Sequence, residues 1–419
     1  MTQDTAWKKT VYVLVCVHLL TASGFSFVTP FLPLYVKTLG SNLGGSVALW
    51  SGLIFSAPAI TMMVMAPVWG FVADRHGRKL MLVRSTVAGA VLLTCMGFVR
   101  SAEELFVLRL LQGLFTGNIA ASNALVAATI PKKHAGVSFG MLRTASWVGL
   151  GLGPLFGGVI GDTVGFRQSF FVTGGVLAVA SMGVLFVLKE KFVPPSGGHR
   201  RGFFSAYRFV LRTPGLRRIY SISFLHHLAK SSITPIVPLF LIALDGGAGV
   251  ATVAGILFGL RAFAGAASAP FVGRVGDRVG HGRVLLLAAV GMTLLYLPQP
   301  FVQDSWQLIV LQFLSGFLAV GIIPGIGALL SGYLPEGTSG ATFGLESSIG
   351  ACARSLGPLI GAGVAACLGY RWVFVWVGLV YGMVVVLSLP LFGQRRGDVG
   401  EEVLRGEQVR ETTNETAGG

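Results

Sequence analysis

The chain has 419 residues, of which 53% are hydrophobic and only 12% charged. A soluble domain carries about 25% charged residues, so a water-soluble body of this length is excluded for want of polar surface. The formal net charge is +15, and where those charges fall assigns them to membrane topology rather than to nucleic acid.

A helix needs about 20 apolar residues to cross the hydrocarbon core. Twelve stretches reach that length, at 11–36, 47–72, 80–98, 104–129, 136–160, 167–189, 216–243, 249–273, 283–303, 305–332, 339–365 and 371–393. The first is too long for a cleavable signal, and no small-residue cleavage site follows it. Along the alternation, one side carries Lys8, Lys9, Arg75, Arg78, Lys79, Arg84, Lys132, Lys133, the basic run 189–218, Arg274, Arg278, Arg283 and Arg395 onward. The other side carries Lys37, Arg100, Arg167 and Arg371. The positive-inside rule then puts both termini in the cytoplasm, and the basic loops meet anionic lipid headgroups.

The expectation is an all-α integral protein of the inner (plasma) membrane. A cytoplasmic N-terminus (1–10) leads into a six-helix bundle (11–189). A cytoplasmic linker (190–215) joins it to a second six-helix bundle (216–393), and a disordered tail (394–419) closes the chain. Within the linker, the basic amphipathic stretch 203–212 reads as a surface-lying helix. Cys16, Cys95, Cys352 and Cys367 lie in apolar stretches without a CxxC pair. They read as small hydrophobes, with no metal or redox site.

The halves repeat. TPFLPL at 29–34 returns as TPIVPL at 234–239, GPLFGG at 153–158 as GPLIGA at 357–362, and GFR at 165–167 as GYR at 369–371. The offset stays between 203 and 205, apart from a short insertion read near 273–283. Each half holds six spans, an even number, so equivalent helices point the same way. Two parallel halves about an axis along the membrane normal place a solute site between them near the midplane. No HExxH, GxSxG or paired intramembrane aspartates supply an enzyme's chemistry.

Two segments stand out. GFVADRHGRK at 70–79 reads as a tight loop built on Gly70 and Gly77, with Asp74, Arg75 and Arg78 able to pair across that face. Its second copy spans 273–283 and includes Asp277, Arg278 and Arg283. GLGLGPLFGG at 149–158 sets Gly149, Gly153, Gly157 and Gly158 around Pro154, which lets a helix pack closely and bend. These segments resemble the major facilitator superfamily: the first its G-x-x-x-D-R-x-G-R-[RK] signature, the second the motif of its drug:proton antiporter branch. The resemblance covers about residues 10–393. It implies the twelve-helix fold, a conformational latch at 70–79 and its repeat, and proton-coupled efflux of drugs by alternating access. Arg109, in LRLLQG at 108–113, resembles the arginine that the family links to proton transfer.

Ionisable groups inside spans are costly and mark function. Glu346 lies about seven residues into its span and is the first candidate for proton coupling. The competing role is a latch with the arginines of 70–79. His18 and His226 are further coupling candidates, since histidine titrates in the right range. Arg109, Gln112, Thr116 and Asn123 fall on one helical face, and so do His226, Lys230 and Thr234. Gln112, Thr116, Asn123, Arg143, Trp147, Lys230, Arg261 and Arg354 are the cavity candidates. Fixed cations outnumber the carboxylate, which leaves a specific organic anion open as the exported solute. The expected partners are a small-molecule substrate, protons and membrane lipids. The chain is expected to be monomeric, with no nucleic acid and no cofactor beyond the proton gradient.

Overall fold

The structure, a computed structural model, describes residues 3–116, 125, 132–188, 214–247, 249–332 and 339–391. Residues 190–213 of the predicted linker, its amphipathic stretch and the tail lie outside the described residues; the linker's last two residues, Pro214 and Gly215, belong to a helix. In the first half α1 (Gln3–Phe27) and α2 (Leu32–Leu39) form one broken span. There follow α3 (Val47–His76), α4 (Arg78–Met96), α5 (Ala102–Phe115), α6 (Lys132–Thr163) and α7 (Phe166–Met182). The second half repeats the order with α8 (Pro214–Ile233) and α9 (Ile236–Asp245), α10 (Val250–Val279), α11 (His281–Tyr296), α12 (Ser305–Ala319) and α13 (Ile322–Gly332), α14 (Ser339–Leu368) and α15 (Tyr370–Ser388). Eleven helices among the described residues are long and apolar enough to cross a membrane. α5 covers the start of the fourth predicted span; most of the remainder, Asn123 included, lies outside the described residues.

The repeat seen in the sequence has a structural cause. Pro30 and Pro235 sit in the matching TP pairs, and proline cannot donate the i→i−4 hydrogen bond that continues a helix. The breaks α1/α2 and α8/α9 fall there. Each half packs its own aromatic core. Phe31 stacks on Phe166 with ring centroids 5.7 Å apart in the first half, and Tyr296 on Tyr381 at 5.7 Å in the second. Large apolar side chains on the outside, such as Phe98, Phe186 and Leu287, stay exposed and face hydrocarbon.

The segment 70–79 is not the loop its composition predicts. α3 runs to His76 and α4 starts at Arg78, with Gly77 alone between them at φ 93°. α10 and α11 turn in the same way about Gly280 at φ 101°. A Cβ clashes in that left-handed region, so a one-residue turn selects glycine. The second copy carries no insertion. His281 takes the place of Arg78, its Nε2 lying 3.4 Å from Asp277 Oδ1, and Arg283 lies inside α11.

These two turns mark what we call the basic face; the opposite one is the far face. The halves meet toward the far face. A Cβ at Gly52 on α3 would stand 2.7 Å from the Pro358 carbonyl oxygen on α14. In mirror fashion Gly255 on α10 meets the Pro154 carbonyl on α6. Ala48 on α3 is buried in one cluster with Ile236 and Leu239 of α9. The α6–α10 seam extends to Trp147, which lies 4.0 Å from where Gly265 would carry a Cβ. Beyond it, toward the basic face, Gly136 and Gly140 on α6, Gly273 on α10 and Gly344 on α14 border open space. Val137 is 68% exposed there and Phe271 69%. The halves are thus closed at the far face and splayed at the basic face.

Candidate functional site: the charged cavity between the halves

α6 carries two different seams. Glycines four apart share a helical face, and Gly149, Gly153 and Gly157 all press on α1. A Cβ would stand 2.6 Å from the Leu19 carbonyl oxygen at Gly149 and 2.5 Å from that of Ser23 at Gly153, and would meet the Phe27 carbonyl at Gly157. Gly158 turns the other way and meets the Ala251 carbonyl of α10. One helix therefore holds a seam within its half and a seam between halves. Gly357 and Gly361 on α14 repeat the first seam against Ser231 and Ser232 of α8.

Where the halves begin to splay, Arg143, Thr144 and Lys230 are exposed at mid-span. In the first half, His18 Nδ1 and Ser146 Oγ are 3.0 Å apart, linking α1 to α6. His18 Nε2 is buried and has no hydrogen-bond partner among the described residues. Arg109 is 7% exposed and donates through Nη1 to Gln112 Oε1 at 3.0 Å. Its Nε and Nη2 are buried without a partner among the described residues. Thr116, just past α5, donates to the Gln112 carbonyl at 2.6 Å.

The second half gathers the larger cluster. Glu346 accepts from Ser223 Oγ at 3.1 Å, and its Oε1 lies 3.7 Å from His227 Nε2. Gly350 leaves the gap into which two of these groups fit. A Cβ there would stand 3.0 Å from Arg354 Nη1 and 3.2 Å from His227 Nε2. Lys230 feels the charges of Arg261 and Arg354. Arg261 on α10 is anchored through Nη1 to Gln312 Oε1 at 2.8 Å, and Gln312 Nε2 donates to Gln299 Oε1 at 2.9 Å. Arg109 and Gln312 occupy matching places in RLLQG and QFLSG. The arginine thus sits on the fourth span in one half and is held by the equivalent position in the other.

Of the predicted residues, the structure brings together Glu346, Arg354, Lys230 and Arg261. His226 lies beside them, its ring centroid 5.6 Å from that of His227 and within reach of the charges of Lys230 and Arg261, but it is buried. His226 is 1% exposed, with Nδ1 3.3 Å from the Tyr381 hydroxyl of α15, so it faces the core rather than the cavity. His227, one of the ionisable residues within the spans but not chosen as a coupling or cavity candidate, joins the cluster at Glu346, and Ser231 shares its helical face. Glu346 is turned to α8 in this arrangement, not to the arginines of 70–79. In that segment Arg75 stacks on Phe71, 4.1 Å from the ring centroid, while the side chain of Asp74 lies outside the described residues. No group of three or more metal-binding side chains occurs among the described residues.

Comparison with known proteins decides the family. The profile described as Major Facilitator Superfamily matches twice, over residues 14–222 and 219–414. The chain belongs to the major facilitator superfamily. This major facilitator protein is a multi-pass membrane transporter of small molecules and not an enzyme. It is 35% identical to the multidrug resistance protein MdtG of Serratia proteamaculans over 406 residues, covering 96% of this chain and 98% of that one. It is 34% identical to MdtG of Escherichia fergusonii over 392 residues, covering 93% and 96%. Among solved structures, the peptide transporter POT in complex with sulfate superposes with a TM-score of 0.75 at 13% identity, covering 96% of this chain and 99% of that one. The nucleoside transporter NupG gives a TM-score of 0.74 at 14% identity, covering 91% and 100%. These two share the fold.

Proposed function

We propose that this chain is a proton-coupled exporter of small amphipathic compounds, working by alternating access. The observation that carries the coupling is the Glu346–His227–Ser223 contact, set at the wall of a cavity that opens to one face. A carboxylate there has a partner that can exchange a proton and a path to solvent. The multidrug resistance relatives, matched along nearly their whole length, support efflux as the direction and drugs as the substrate class. The basic face is cytoplasmic by its lysines and arginines, which puts both termini inside and makes this the inward-open state. Units 11–189 and 216–393 rock about the cavity, with 190–215 as their linker. Gly70, Asp74, Arg75, Gly77 and Arg78, with Asp277, Arg278 and Arg283, latch the basic face when it closes. His18 and Arg109 are subsidiary coupling groups. The chain acts as a monomer in the inner membrane, in contact with lipid, and draws its energy from the proton gradient without a cofactor.

A second reading has its own support. Lys230, Arg261 and Arg354 form a cationic patch opposed by one carboxylate, and a solute bearing an anionic group completes that charge balance. The substrate is then an organic anion.

Inside-out vesicles with an acidified lumen test both. Uptake of a cationic dye that stops when the gradient is collapsed, and is lost in Glu346→Gln, is the expected result. Uptake confined to organic anions and lost in Arg354→Gln moves the substrate to the second reading. Uptake that persists after collapse removes proton coupling.

A further inference from the structure

α10 begins at Val250 with Gly249 as its N-cap at φ 70°, and glycine has no side chain to cap a helix. Its repeat counterpart caps itself: Ser46 Oγ accepts the Leu49 N–H at 3.2 Å at the start of α3. At α10 the acceptor comes from the other half. Asp162 Oδ2, near the end of α6, accepts the Thr252 N–H at 2.6 Å. Thr252 Oγ1 in turn donates to the Gly158 carbonyl at 3.4 Å. Gly158 is the glycine seated on Ala251, so this polar contact sits at the rim of the seam that closes the far face.

The first-turn amides of a helix lack intrahelical acceptors and favour negative charge. Asp162 answers both needs across the boundary between halves. The arrangement is one-sided. At the repeat offsets of 204 and 203, Asp162 corresponds to Ala366 and Thr252 to Leu49, and neither reproduces the contact.

We infer that Asp162 is the gate residue of the far face: it caps α10 in trans while that face is closed and must release Thr252 whenever it opens. Since Gly249 supplies no replacement, every opening leaves the α10 amides to water, and the equilibrium is biased toward the closed far face. The inference rests on alternating access, and not on the substrate or the coupling ion.

Spin-label distances in the full chain test it. Cys16, Cys95, Cys352 and Cys367 are replaced, and label pairs are set at exposed sites of the two halves. Leu43 and Gln303 report the far face; Val137 and Val279 report the basic face. Asp162→Ala is expected to raise the far-open population about fivefold, the size of one lost helix cap. Asp162→Asn, whose amide oxygen still accepts, is expected to raise it less. In both, lengthening at the far face comes with shortening at the basic face. Unchanged distributions in both variants, in protein that stays monodisperse, overturn the inference. If Asp162→Ala does not fold, Asp162→Asn decides by the same criterion. The readout needs neither substrate nor gradient, so its failure is distinct from failure of the efflux reading.

Discussion

Glu346 Oε1 lies 3.7 Å from His227 Nε2, so the carboxylate of α14 is shared with a histidine of α8. His227→Gln keeps a polar group of similar reach that cannot take up charge. Gradient-driven uptake is expected to fall about tenfold, as for the loss of about 1.4 kcal/mol of ion pairing. Counterflow without a gradient is expected to fall less than about twofold, since it needs binding but not coupling. Equal losses in the two assays would assign His227 to binding or folding instead.

The α1–α6 seam is closed to methyl groups. Gly157→Ala drives a Cβ into the Phe27 backbone, and overpacking of this kind costs about 1–3 kcal/mol. A lower melting temperature in detergent is the expected reading. Gly140→Ala is the control: open space surrounds that position, so it should not lower stability and should gain about 0.5–1 kcal/mol from helix propensity.

Gln312, fully buried, accepts from Arg261 and donates to Gln299. Gln312→Leu is close to it in volume and strands both partners, at a cost of about 1–3 kcal/mol. Adding Arg261→Met removes one stranded group, and part of the lost stability should return. Thermal unfolding of the single and double variants measures the recovery; a double variant less stable than Gln312→Leu alone would contradict it.

At the far face Glu103 accepts from Ser41 Oγ at 2.6 Å and from the Leu43 N–H at 2.9 Å. The Ser41 hydroxyl, and then the Leu43 amide, hold its carboxyl down at about 2. The sign follows from a depressed folded value. The loop order that the carboxylate supports is present above the ordinary glutamate range, near pH 4.3, and is lost as pH falls through about 2. Trp50, which donates to the Gly44 carbonyl at 2.7 Å, reports on the same loop. In a variant with Trp50 as its sole tryptophan, emission should hold steady down to about pH 3 and change below it. Glu103→Gln should abolish that transition.

The spans and their parallel repeat were legible because apolar length and ordered matches are properties of the chain itself. Pro30 and Pro235 mark where the first span of each half breaks, although each of those spans was expected to be continuous. The segment 70–79 was misread because a helix end emerging from lipid and a loop have the same polar, glycine-containing composition. Only the dihedral of Gly77 separates them. Successive helix residues differ by about 100°, so the sequence put His226 and His227 on different faces. Which face met the cavity depended on how α8 is rotated against Tyr381, a tertiary fact. The glycines of 149–158 likewise announced close packing but not that three serve α1 while Gly151 and Gly158 face α10. Asp162 gave no signal, because its partner is a backbone amide ninety residues away.

Gly52 offers a handle for imaging. The far rim leaves no room for a methyl group there, with Ala362 Cβ only 2.5 Å from the place it would occupy. Gly52→Ala is therefore a wedge that acts on neither charge nor cavity. It would prise the rim apart and enrich the conformer opposite to this one. Such a variant supplies a target for selecting state-specific antibody fragments, and through them a view of the transporter at the other end of its cycle.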